Sequence, residues 1–146
     1  MNAPEKLVDV LIAVVLLFFL PILYYGSGKQ VSGVILAGQA GENFLNRIST
    51  AGEITLPVWN ELEDTLENFG CDRFELSRER YLFEPDRETG GVVRRLYVES
   101  AETLLEQMQE KDRTCLLKGD CIKLTIYYNE VPMLYYDYVR TGATEQ

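Results

Sequence analysis

Apolar positions are unevenly spread along the chain. From Leu7 to Tyr25 it reads LVDVLIAVVLLFFLPILYY, nineteen residues in which Asp9 is the single charge. At about 1.5 Å of rise per residue this run covers roughly 28 Å of helix, close to the ~30 Å hydrocarbon thickness of a bilayer. Pro21 stands one turn from the far end, where it bends a helix without breaking a span. Tyr24 and Tyr25 suit the interface, with an apolar ring and a wet hydroxyl. A cleaved signal peptide is the rival reading, and it needs a basic leader, an apolar core of about 7–15 residues and a small-residue cleavage site. Here MNAPEK sets Lys6 against Glu5, the core is longer, and only Gly26-Ser27-Gly28 follows, so the pattern favours a retained helix. Lys6 and the amino terminus on one side face only Lys29 close by on the other; the short N-terminal tail favours an N-terminus inside and an exported remainder.

Helical periodicity resumes from Lys29 to Ser49, with Val31, Val34, Ile35, Leu45 and Ile48 roughly on one face. Gly33, Ala37 and Gly41 recur at four-residue spacing. Such a stripe either lets another helix approach closely or, at ~1 kcal/mol per glycine, marks a flexible joint. The pattern predicts a membrane segment over 1–28, an amphipathic stalk helix over 29–50 and an extracytoplasmic domain over 51–146.

In the domain, Thr55 is a fitting N-cap and Pro57 suits a first turn. Trp59, Leu62, Leu66 and Phe69 then recur at helical spacing, with Gly70 as the stop. Glu61, Glu63, Asp64 and Glu67 read as the wet face of that helix. Alternation over 73–84 and 91–98, joined by EPDRETGG, predicts a hairpin in which Arg78, Arg80, Arg94 and Arg95 meet nearby glutamates in cross-strand ion pairs. Ser100 caps a second helix on Ala101, Leu104, Leu105 and Met108. The remainder alternates at period two, with Ile122, Leu124, Ile126 and Tyr128 on one face and Lys123, Thr125 and Tyr127 on the other; Lys118-Gly119-Asp120 and Asn129 to Pro132 are its turns. The fold class is therefore α+β: a long N-terminal transmembrane and stalk helix, then two helices on an antiparallel sheet of about four to five strands.

Composition narrows the chemistry. There is no His, and the formal charge is -9, which excludes a Ser-His-Asp triad and His-ligated metal sites and argues against nucleic acid, whose phosphates need a basic face. No phosphate-binding glycine loop, dinucleotide fingerprint or nucleophile elbow occurs. The expectation is a protein without catalytic residues, cofactor or metal. Cys71, Cys115 and Cys121 are too few for a four-thiolate zinc site. Cys115 and Cys121 flank LLKGD, so a disulfide across the base of a hairpin is geometrically open to them, and buried free thiols are the alternative. Five tyrosines lie between Tyr127 and Tyr138, which suits strand packing and offers, as the alternative function, a membrane-tethered module binding a carbohydrate or protein through a Tyr-rich strand surface.

The apolar helix LVDVLIAVVLLFFLPILYY with Glu5 or Asp9 near its start and Pro21 in its last third, the extension KQVSGVILAGQAGENFLNRIS and the small α+β domain resemble the plan of type IV pilins and pseudopilins. Among these the chain looks most like the small pilin-like proteins of Tad/Flp-type pilus clusters in Firmicutes. The resemblance implies a structural subunit in the cell membrane, in contact with lipid, with other pilin-like subunits as homo- or hetero-oligomers and with a pilus assembly platform, and able to enter a surface filament. Its assembly residues would be Glu5, Asp9, Pro21, Gly33, Ala37 and Gly41. MNAPEK lacks the basic leader ending in Gly or Ala of a prepilin, which points to a minor or assembly role. Physically, Glu5 and Asp9 are costly in hydrocarbon unless paired with a neighbouring subunit's amino terminus or Lys6, and need no partner if they lie in the headgroup layer.

Overall fold

The computed structural model describes residues 3–142. It divides into two compact units, Met1–Ile35 and Leu36–Gln146. Helix α1 (Ala3–Ala51) carries the apolar run, with Pro21 inside it. It runs without a break through Gly26-Ser27-Gly28. A helical glycine costs only about 1 kcal/mol and still donates its N–H, so the intrahelical ladder survives three small residues. The Ser32 hydroxyl donates to the Gly28 carbonyl at 2.9 Å, a back-bond within the same helix. The Lys29 side chain, which bears on orientation, lies outside the described residues.

The second unit begins at Leu36, inside the segment expected as a stalk. Ala37, Phe44, Leu45 and Ile48 are all buried, whereas Val31 and Ile35 of the expected apolar stripe are exposed. Residues 36–51 of α1 are thus a core helix of the domain. Gly52 ends it at φ +72°, where an added Cβ would collide with the Thr141 carbonyl oxygen; its N–H closes the last turn on the Ile48 carbonyl at 2.8 Å.

Beyond Gly52 the order is β1 (Glu53–Thr55), α2 (Leu56–Asn68), β2 (Arg73–Pro85), β3 (Val92–Glu99), α3 (Ala101–Lys111), β4 (Arg113–Cys115), β5 (Cys121–Tyr128) and β6 (Val131–Tyr138). The class is α+β, with two antiparallel sheets instead of one: β3-β2-β5-β6, and a short pair β1-β4. β4 therefore leaves the expected meander and pairs with a strand the alternation does not reveal. Thr55 and Ser100 occupy the expected N-cap positions, but neither side chain makes a cap hydrogen bond. Thr55 is held extended by its pairing with Arg113, and Pro57 presets the first turn of α2. The Ser100 hydroxyl instead lies 3.4 Å from that of Thr103.

The β5–β6 connection is two residues, Asn129 and Glu130, both at positive φ (49° and 61°). Two left-handed residues make the turn type whose twist matches paired strands. Asn tolerates that conformation; Glu130 is held in it by its N–H bond to Asp72 at 2.9 Å.

One face of the four-stranded sheet is the core. Leu76, Ile122, Leu124 and Ile126 are buried there. α1 meets this face at Gly41, where a Cβ would stand 2.9 Å from Ile126 Cδ1 and 3.1 Å from Leu124 Cδ2. Trp59 of α2 stacks on Phe74 of β2 at 5.3 Å, and Leu104 and Met108 bring α3 into the same core.

Candidate functional site

The residues singled out for assembly fall into two groups. Glu5, Asp9 and Pro21 lie on the first unit, all exposed. They belong to a helix whose Pro4–Tyr25 stretch has a mean hydropathy of 2.8 in an 18-residue window and no buried residue in it. That is long and apolar enough to cross a membrane. Leu17, Phe18 and Phe19 on it are exposed at 59–73%, part of a contiguous apolar patch of the kind that marks an interaction or membrane surface.

Ala37 and Gly41 belong to the second group, on the stretch of α1 that packs in the domain. Both are buried within the domain, and Gly41 makes room for Ile126 and Leu124 of the chain's own β5. A small-residue stripe reports close approach but not what approaches. Gly33 lies on the first unit, half-buried.

The cysteines are free: Cys121 is buried, Cys71 half-buried and Cys115 exposed. The bridge between Cys115 and Cys121 is absent because LLKGD does not join two strands of one hairpin. Cys115 pairs with Glu53 in the β1–β4 sheet, while Cys121 opens β5 between Glu79 and Tyr138. Burial pushes the Cys71 and Cys121 thiols up, with Asp72 adding to the first and Glu79 to the second; neither is activated as a thiolate nucleophile.

The charged groups inside the domain act as clamps. Arg80 forks onto Asp120, Nε to Oδ1 at 2.8 Å and Nη2 to Oδ2 at 2.7 Å, and Asp120 Oδ2 also accepts the Leu117 N–H at 2.9 Å. Arg78, buried, pairs with Glu99 and donates to the Cys115 carbonyl at 2.9 Å. Both ties join the large sheet to the β4–β5 segment. Arg95 pairs with Glu84 at 3.3 Å, so the cross-strand ion pairs read from the sequence form for Arg78 and Arg95, while Arg80 reaches past its hairpin.

Ser49 and Asp137 come within 2.7 Å, a pairing that sequence reasoning misses because 88 residues separate them. The buried Ser49 hydroxyl shares its proton between that carboxylate and the Leu45 carbonyl at 2.5 Å. Burial pushes the Asp137 carboxyl up, but the Ser49 hydroxyl, the Tyr138 N–H and Arg140 outweigh it and hold the group below the ordinary carboxylate value. The pair pins β6 to α1.

Among the described residues no three His, Cys, Asp or Glu side chains gather as a metal site. The groove between α1 and α2 has a volume of about 230 Å³, lined by Ala40, Phe44, Val58, Leu62 and the Arg47–Glu61 ion pair. Glu61, Glu63, Asp64 and Glu67 are exposed on α2, a solvated face. Tyr135 packs on the core, whereas Tyr136 and Tyr138 stand edge to face, 6.3 Å apart, on the opposite side of the sheet.

No protein-family model, curated protein or solved structure matches the chain.

Proposed function

We propose that the chain is a single-pass membrane protein, a pilin-like structural subunit of minor or assembly type in a Tad or type IV pilus-like or secretion system, with its C-terminal domain outside the cytoplasm and no catalytic role. The observation that carries the reading is the helix Pro4–Tyr25, apolar over 22 residues and with none of its window buried. Such a surface needs lipid or other helices around it. Among the described residues, the buried charges Arg78 and Asp120 are engaged in the Arg78 and Arg80 clamps.

Asp9 supplies the test. A carboxylate held in hydrocarbon is costly unless it is paired, here with a neighbouring subunit's amino terminus or Lys6. Asp9→Lys keeps one charge in the helix and reverses its sign. With insertion intact, the variant is expected to lose oligomers recovered from membranes by mild detergent and cross-linking, at least tenfold against wild type. Unchanged oligomers would sink the assembly role of Asp9.

A further inference from the structure

Among the described residues of the second unit, no helix or strand covers the face of the four-stranded sheet turned away from the core. Alternation puts Tyr81 and Phe83 of β2, Leu96 of β3, and Leu134, Tyr136 and Tyr138 of β6 on it. These six are between 47% and 73% exposed. Aromatic side chains present ~150–250 Å² each when fully open, so at these exposures the group shows on the order of 800 Å². A specific interface needs about that from each partner.

The charges on the same face are arranged unlike those of the rest of the chain. The net charge is -9 overall, yet this face holds Arg73, Arg94 and Lys123 against Glu75 and Glu79. Each is already engaged within the face. Arg73 pairs with Glu75 at 2.8 Å, Lys123 with Glu79 at 2.6 Å, and the Arg94 guanidinium lies 3.6 Å over the Tyr81 ring. Two identical acidic domains repel wherever their excess carboxylates meet; on this face there is no excess, and the satisfied pairs lower the penalty of removing water.

We infer that this sheet face is a self-association surface that takes a second copy of the chain, sheet on sheet across a two-fold axis. Two flat antiparallel faces stack about 10 Å apart with side chains interleaved, and an isologous contact sets each copy's β3-side cluster and β6-side cluster against the same patch on its partner. The inference concerns the domain alone and stands apart from the role of the membrane helix.

The test uses the full chain in detergent, with self-association measured by analytical ultracentrifugation over a concentration series. Leu134→Glu with Tyr136→Glu changes two exposed side chains and leaves the buried face untouched. It is expected to weaken self-association at least tenfold while far-ultraviolet circular dichroism stays as in the wild type. Lys123→Glu, which keeps every apolar residue and puts an unbalanced acid beside Glu79, is expected to weaken it as well. Association unchanged within twofold in both folded variants overturns the inference, as does a wild-type chain that stays monomeric. Membrane partition, measured in the same preparations, reports separately on the helix.

Discussion

Replacing Leu16 and Phe19 together by arginine is expected to remove the chain from the membrane fraction. Both side chains lie mid-run in Pro4–Tyr25 and are exposed at 50% and 59%. An arginine near the centre of a spanning helix costs about 2.5–3.5 kcal/mol for insertion. Two of them oppose partition by roughly 6 kcal/mol, more than four powers of ten. Alkaline extraction of membranes reads the effect: the wild type stays in the pellet with an intact mass of 16.7 kDa, and the variant does not. A wild-type mass shortened to the domain would show a signal sequence removed on export, and the anchor would fall with it.

Asp120→Ala is expected to destabilise the domain by about 3 kcal/mol, the cost scale for removing one partner of a buried ion pair. Asp120 is only 2% exposed and takes both teeth of the Arg80 fork together with the Leu117 N–H. Alanine supplies none of these acceptors. The Arg80 side chain is 23% exposed, so water recovers part of its charge and the loss stays at the low end of the range for buried pairs. Asp120→Asn, which keeps one acceptor oxygen, is expected to lose less. Urea unfolding checks both: the midpoint falls while the slope is unchanged. A shift under 1 kcal/mol for alanine would place the fork among solvent-screened surface pairs.

Long periodic segments were legible in the sequence, and short or relational features were not. α2 starts and stops where Pro57 and Gly70 direct it, and its buried residues Trp59, Leu62 and Leu66 are those of the helical repeat. The hairpin expected at 73–84 and 91–98 forms as β2 and β3, because alternation over eight or more residues is hard to mistake. β1 and β4, at three residues each, are too short to alternate, and with them went the placement of Cys115. Gly41 shows the limit from the other side. The absence of a side chain announces a close neighbour, while only the folded chain identifies it as Ile126 and Leu124. The open sheet face is similar: alternation separates Lys123, Thr125 and Tyr127 from the core residues, but cannot tell which of the two faces a helix covers.

Electron microscopy of material sheared from the surface of cells producing the chain, with the subunit located by labelling, tests the structural-subunit reading most directly. The protein is expected in ordered assemblies whose subunits stack by their N-terminal helices, sharing the apolar surface of Pro4–Tyr25 among themselves. Recovery of the chain only as a membrane-bound species with no helix-packed neighbours would contradict it.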